Sequence, residues 1–147
     1  MTPRLPYTQL APAVFQALVQ LEKATHALGL DEGLTELVRI RASQLNGCGY
    51  CLDLHSTNAL KQGLTPRQVM ALGAWREAGD LFSRAERAVL RLTDAVTLLP
   101  QQGVPDDVLA EMRLYWTDTQ IVQWTLAIIT INAWNRMGVT AGLHPTA

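Results

Sequence analysis

The chain has 147 residues, with 12 basic and 13 acidic side chains for a net charge of −1, and 48% of it is hydrophobic. That length is most simply one domain, residues 1–147, with room for a proper core. The balanced charge excludes the basic signature of a nucleic-acid or anionic-membrane binder. The first two cysteine positions, 48 and 51, are also the last. They staple no distant parts of the fold, so the pattern is a cytosolic redox or metal pattern, not a secreted disulfide framework. The N-terminus, Met1-Thr2-Pro3-Arg4-Leu5-Pro6, has no signal-peptide shape. The most apolar stretch, Ile121 to Trp134, is too short for a bilayer span and is interrupted by Gln123, Thr125, Thr130 and Asn132. A soluble cytoplasmic protein is expected.

Taken in order, residues 1–11 read as an extended lead-in with prolines at 3 and 6. Pro12 can begin a helix, and Val14, Phe15, Leu18, Leu21 and Leu28 keep helical spacing until Gly29 ends it. His26 on this helix reads as a solvated or capping residue. A helical hairpin follows, Glu32–Leu45 and Cys48–Gln62. Leu34, Leu37, Val38, Ile40 and Leu45 form one apolar stripe, and Leu52, Leu54, Ala59 and Leu60 form the other. Asn46-Gly47 between them reads as a helix stop followed by a helix start.

Gly63 closes the second helix. Thr65-Pro66 opens the next as N-cap and first helical residue, and it should run to about Glu77 with Val69, Met70, Leu72 and Trp75. Ser83-x-x-Glu86 is a capping box for a helix over Arg84–Leu99, ended by Pro100 and Gly103. Pro105-Asp106-Asp107 opens a short helix to about Tyr115. Thr117-x-x-Gln120 caps the last one, Asp118–Met137, with Gly138 as its stop and 139–147 as a loose tail. No β-alternation of useful length interrupts this pattern, so the chain is expected to be all-α, with about six helices.

The chemistry concentrates in Cys48-Gly49-Tyr50-Cys51 at the start of the hairpin's second helix. Free N–H groups and the positive end of the helix dipole favour thiolate over thiol there. Cysteines at i and i+3 have Cα atoms about 5–6 Å apart, inside disulfide range. His55 lies one turn beyond Cys51 on the same face, where it can hydrogen-bond the sulfur directly or through a water and take its proton. Glu36 lies about 15 Å back along the first helix and His55 about 12 Å along the second. Their levels nearly coincide in an antiparallel hairpin, so a buried carboxylate there can orient His55 and accept a proton through it.

Glu36, eleven residues, Cys48-x-x-Cys51, three residues and His55 resemble the core motif of the AhpD-like alkyl hydroperoxidases, in the carboxymuconolactone decarboxylase superfamily. The motif covers about twenty residues, and the hairpin extends the resemblance to residues 21–72. The resemblance implies that Cys51 is peroxide-reactive, Cys48 resolves, and His55 and Glu36 form a proton relay. It also implies a dithiol reductant, in known cases a protein-bound lipoyl group, and a homo-oligomer, hexamer favoured and trimer possible. Tyr50 stands where better-studied hydroperoxidases often have a histidine. Related lactone decarboxylases lack the cysteine pair, so decarboxylation is not expected. No Gly-rich nucleotide loop is present, and no cofactor is expected.

Two other readings stay open at this stage. Cys48, Cys51, His55 and Glu36 offer S, N and O ligands to zinc, though a structural site usually adds a second C-x-x-C or an H-x3-5-H. The motif can also survive in a non-catalytic, stress-linked interaction module.

Around the motif, Tyr50 reads as packing over the sulfurs, or as a relay donor through its hydroxyl. Ser43 reads as a small residue permitting close helix packing, or as a hydrogen bonder near the site. Arg39 and Arg41 read as surface or interface ion-pair residues, and His144 as uninvolved. Asn132-Ala133-Trp134-Asn135-Arg136 also resembles the last helix of the AhpD-like proteins, with Asn132 and Asn135 as buried hydrogen bonders. That helix is apolar nearly all round, so most of its faces must be covered, one of them by another subunit.

Overall fold

The computed structural model describes residues 2–146, and these form nine α-helices and two 3₁₀ segments with no strand among them. The helices are α1 (Tyr7–Leu10), α2 (Pro12–His26), α3 (Glu32–Asn46), α4 (Gly49–Lys61), α5 (Pro66–Ala71), α6 (Arg84–Thr97), α7 (Leu99–Gln102), α8 (Asp106–Met112) and α9 (Asp118–Ala141). Among the described residues no helix is long and apolar enough to cross a membrane.

Helix α3 is the centre of the arrangement, packed against α4, α6 and α9. Its stripe buries Leu34, Leu37, Val38, Ile40 and Ala42, which meet Val89, Leu90 and Leu92 of α6 and Trp124, Ile128 and Ile131 of α9 in one apolar core. Local chemistry starts each of these helices. The Asp31 carboxylate accepts the Leu34 N–H at 2.8 Å. Complete capping boxes stand at Thr65–Gln68, Ser83–Glu86 and Thr117–Gln120.

Several boundaries differ from the sequence reading, each for a physical reason. The lead-in is not extended throughout, since Tyr7–Leu10 forms a helical turn; Met1 lies outside the described residues. The helix expected over Pro66–Glu77 ends at Ala71 and continues as a 3₁₀ segment, Leu72–Glu77, kinked at Ala74 (φ −118°, ψ 36°). The kink buries Trp75, whose Nε1–H donates to Asp94 at 3.3 Å. The Arg87 guanidinium then donates to the carbonyls of Trp75, Arg76 and Gly79 at 3.2, 2.9 and 3.2 Å. Helix α6 stops at Thr97, and Pro100 opens the short α7 as a first-turn proline.

The last helix runs past Gly138 to Ala141 and is capped by Gly142 in the left-handed region (φ 70°, ψ 44°). The tail is not loose. The Leu143 N–H returns to the Gly138 carbonyl at 2.9 Å, and Arg4 donates to the Thr140 and Val139 carbonyls at 2.8 and 2.9 Å. Both chain ends are thereby drawn to the C-terminus of α9. Ala147 lies outside the described residues.

A polar network sets the register of α9 on α3. Asn46 Nδ2 donates to Asn132 Oδ1 and Asn135 Oδ1, each at 3.0 Å. Asn135 Nδ2 donates to Ser43 Oγ at 2.9 Å, and Ser43 Oγ donates to the Arg39 carbonyl at 2.7 Å. Asn132 Nδ2 reaches Thr97 Oγ1 of α6 at 2.9 Å. The two asparagines are thus the buried hydrogen bonders expected of them, and Ser43 is a hydrogen bonder as well as a small packing residue. Asn135→Ala removes one of the two acceptors of Asn46 and the donor to the buried Ser43 hydroxyl. It should cost about 1–3 kcal/mol in denaturant unfolding, and a loss under about 0.5 kcal/mol would show that the network does not hold the helices.

Candidate active site

The site begins at the turn between α3 and α4. Gly47 takes φ 65° and ψ 32°, a left-handed conformation that ends α3. Cys48 follows as the N-cap of α4. Its N–H goes back to the Ser43 carbonyl at 3.0 Å, and its sulfur accepts the Cys51 N–H at 3.3 Å. The sulfur occupies the place a serine or aspartate oxygen usually takes at a helix start. Cys48 and Cys51 are joined as a disulfide with Cα atoms 5.3 Å apart, and they are 2% and 5% exposed.

Cys51 forms part of the wall of a chamber of about 370 Å³. Tyr7, Phe15, Leu54, Trp134 and Leu143 give that chamber an apolar lining, with His55, Arg39 and Glu22 at its polar side. Phe15 meets Tyr7 and Trp134 edge-on, with ring centroids 6.1 and 6.2 Å apart. Burial raises the Tyr7 phenol above its ordinary range and the neighbouring Tyr50 adds to this, so Tyr7 stays protonated at neutral pH. Tyr50 lies on the chamber rim beside Cys51, more than a third exposed.

Glu36 and His55 meet across the hairpin. His55 Nδ1 lies 2.8 Å from Glu36 Oε2, and Glu36 is 3% exposed. The other carboxylate oxygen, Oε1, accepts from Arg39 Nη1 at 2.7 Å. Burial alone would push the Glu36 carboxyl up. The His55 hydrogen bond and charge, together with the Arg39 guanidinium, outweigh it and hold the carboxyl below the usual glutamate range. An ionised carboxylate only accepts, so Nδ1 carries the proton and donates, leaving Nε2 of a neutral His55 free as a base. Among the described residues no direct hydrogen bond joins His55 to the Cys51 sulfur; the two residues share the chamber instead.

The other expectations sort by position. Arg39 and Arg41 are ion-paired, but inside the protein rather than on its surface. Arg39 binds Glu36 and Glu22, and Arg41 Nε donates to the buried Asp94 at 2.6 Å. His26 is exposed beside Glu32, 3.4 Å away, and His144 is exposed in the tail. Among the described residues no group of three or more His, Cys, Asp or Glu is placed to hold a metal ion.

Sequence reasoning missed Glu22, Trp134 and Gly138. Glu22 interrupts the apolar face of α2 next to Leu21, a signal that was readable. It accepts the Trp134 Nε1–H at 3.0 Å and pairs with Arg39. Gly138 looked like a helix stop but is buried within α9. A Cβ there would stand 3.4 Å from Cys48 Sγ and 3.8 Å from Cys51 Sγ, so its missing side chain lets α9 lie against the sulfurs. Nothing local distinguishes it from the true cap, Gly142.

A thiol pair at a helix start, with a histidine–carboxylate dyad one turn along, is the site of a redox-capable member of a known group. The Carboxymuconolactone decarboxylase family model matches residues 12–95, and the chain belongs to that family, in its AhpD-like branch. It is 36% identical over 142 residues to the uncharacterised protein YdfG of Bacillus subtilis, covering 97% of this chain and 96% of that one. A crystal structure of a protein of unknown function from Agrobacterium tumefaciens, ATU0492, provisionally named an AhpD antioxidant defence protein, superposes with a TM-score of 0.95. It is 35% identical and covers 99% of this chain and 100% of that one. Alkyl hydroperoxide reductase AhpD of Maricaulis maris is 44% identical over 43 residues, 29% of this chain and 25% of that protein.

The Glu36 environment makes stability depend on pH. Its carboxyl titrates lower in the folded than in the unfolded chain, so ionisation stabilises the fold above the ordinary glutamate value of about 4.3. That contribution is lost as pH falls through the lowered folded value. The melting-temperature gap between wild type and Glu36→Gln should therefore be widest near neutral pH and narrow between about pH 5 and pH 3. A gap that stays constant with pH contradicts this account.

Proposed function

We propose that the protein is a thiol-dependent peroxidase for organic hydroperoxides. One observation carries the reading: Cys51 opens on an apolar chamber with His55 on the same wall, while Cys48 is bonded to it from behind. Cys51 is the reacting thiol in this proposal, since Cys48 takes no part in lining the chamber. The metal-site alternative is not favoured, because the sulfurs are bonded to each other and Glu36 is engaged by Arg39 and His55.

In the reduced protein, His55 Nε2 takes the Cys51 proton, and the ionised Glu36 stabilises the imidazolium. The thiolate attacks the outer oxygen of ROOH. The O–O bond breaks, Cys51 becomes a sulfenic acid, and the departing alkoxide takes the proton from His55 and leaves as ROH. Cys48 sulfur then attacks Cys51 sulfur. The S–O bond breaks, and hydroxide leaves as water with the Cys48 proton. In sum, two thiols and ROOH give a disulfide, ROH and H₂O. A dithiol reductant, with a protein-bound lipoyl group as the proposed source, returns the pair to thiols by exchange at Cys51.

The test uses the separated cysteines. Reduced Cys48→Ser treated with an organic hydroperoxide should hold a sulfenic acid on Cys51, trapped by dimedone and located by mass spectrometry. Reduced Cys51→Ser should react about 100-fold more slowly, the scale of a lost general base. Equal or reversed rates would remove Cys51 from its role. Rapid exchange with dithiols but no peroxide reaction in wild type would favour a thiol–disulfide module of the same fold.

The proposal extends to assembly as a homo-oligomer, with the hexamer favoured. Val122 and Ile129 on α9 are 69% and 47% exposed although Ile121, Trp124, Ile128 and Ile131 on the same helix are buried. Light scattering at low micromolar concentration should give a mass several times the 16.2 kDa chain. A monodisperse monomer would refute assembly through this face.

A further inference from the structure

Arg39 is not among the four residues of the motif, yet it joins the site to the rest of the molecule. Its Nη1 donates to Glu36 Oε1 at 2.7 Å, and its Nη2 donates to Glu22 Oε1. The second oxygen of Glu22 is held by the Trp134 indole N–H at 3.0 Å. The second oxygen of Glu36 faces His55 at 2.8 Å. A continuous line of four polar contacts thus runs from α9 through α2 and α3 to α4. The Arg39 and Glu36 side chains are 12% and 4% exposed, so solvent screens the contact between them weakly.

An arginine that only tied α2 to α3 would need Glu22 alone. The second arm of this guanidinium turns to Glu36, three residues back on its own helix, where it adds no tie between helices. What that arm changes is the carboxylate that holds His55. A carboxylate receiving one oxygen's worth of hydrogen bonding from a guanidinium stays ionised, and its free oxygen is directed to the remaining donor. Arg39 and Glu22 also line the Cys51 chamber.

We infer that Arg39 is a positioning residue for the Cys51 chemistry: it holds one oxygen of Glu36, backed by Glu22 and Trp134, and keeps the carboxylate ionised and turned to His55. The inference rests on the peroxidase-type reading above and adds Arg39, Glu22 and Trp134 to it. Its consequence is where the proton rests. With Glu36 held ionised, the proton taken from Cys51 stays on His55, at the chamber wall, where the departing alkoxide can collect it. Without Arg39, two carboxylates would face each other with no cation between them, and Glu36 would take up a proton at higher pH.

Other titratable groups lie nearby and must be counted. Lys23 and His26 of α2, Glu32 of α3 and Lys61 of α4 line a more open cleft of about 530 Å³ that also reaches Glu36 and Arg39. Tyr7, Tyr50 and Cys51 face the chamber that His55 lines. Trp134 is the α9 residue in the line, and it is uncharged. Among all of these, Arg39 and His55 are the side chains that hydrogen-bond Glu36.

The experiment follows the rate of Cys51 alkylation by iodoacetamide against pH in reduced Cys48→Ser protein, so no peroxide or reductant enters. Arg39→Met removes the cation and should move the acid limb of the profile up by about one pH unit, a tenfold loss of rate at fixed pH on the limb. Glu22→Gln leaves the guanidinium to Glu36 alone and should move the limb the other way, to lower pH. Opposite shifts are not what loss of a helix tie produces, because both variants break the same α2–α3 contact. If Arg39→Met does not fold, the downward shift in Glu22→Gln decides by itself. Limbs that coincide with the parent, with only the melting temperatures lowered, overturn the inference and leave the peroxidase reading standing. A parent profile with no limb below the ordinary thiol range, about 8.5, overturns both.

Discussion

A carboxylate sealed from water must be met by donors, and much of this structure follows from how Glu36 is met. It is 3% exposed and sits in the N-terminal third of the central helix. Leaving it unpartnered would cost several kcal/mol of desolvation. Two donors from opposite directions, Arg39 on its own helix and His55 on the next, take one oxygen each. His55 can serve only if α4 runs back along α3 at one register, and that register depends on the turn at Gly47 and on Cys48 as the cap of α4. The chemical pair and its cap are therefore the same residues: the sulfur that receives the Cys51 N–H is also the partner of the Cys51 sulfur.

The opposite side of the disulfide is set by a second polar device. Ser43, Asn46, Asn132 and Asn135 lock α9 onto the C-terminal turn of α3. Apolar packing alone tolerates small slides, whereas hydrogen bonds between buried amides do not, because a slip leaves donors unsatisfied. With α9 held in this way, its next turn brings Gly138 against the two sulfurs and Trp134 into the chamber wall. The chain ends complete the enclosure: Arg4 binds the last carbonyls of α9, and Leu143 and Tyr7 close over Cys51.

The two sides of Cys51 differ in polarity, and that difference is useful to redox chemistry at sulfur. Aromatic and aliphatic side chains exclude bulk water from one side, which strengthens the electrostatics of the His55–Glu36 pair on the other. Glu22 and Arg39 line both the chamber and the open cleft beside α2, and Glu36 lines the cleft. Arg39 carries the positive charge shared by the Glu22 and Glu36 carboxylates there.

By itself, the sequence determined the parts of this protein that depend on near neighbours. The helices over Glu32–Asn46 and Gly49–Lys61, the stop at Gly47, and the capping boxes at Ser83 and Thr117 follow from residues within one turn of each other. Helix rise places Glu36 and His55 at one level, because both are counted from the same turn. Tertiary structure alone decided what depends on distant segments. Trp75 broke a helix that reads as continuous, because its indole is buried against Asp94. Gly138 became a contact residue rather than a stop, because the sulfurs lie across from it. Glu22 on α2 and Trp134 on α9 joined the site across 112 residues of chain. Arg39 reads as a surface cation until α2 is laid over it. Spacing along one or two helices reports which side chains share a face, but which faces meet is settled by the burial and hydrogen bonding of the whole chain.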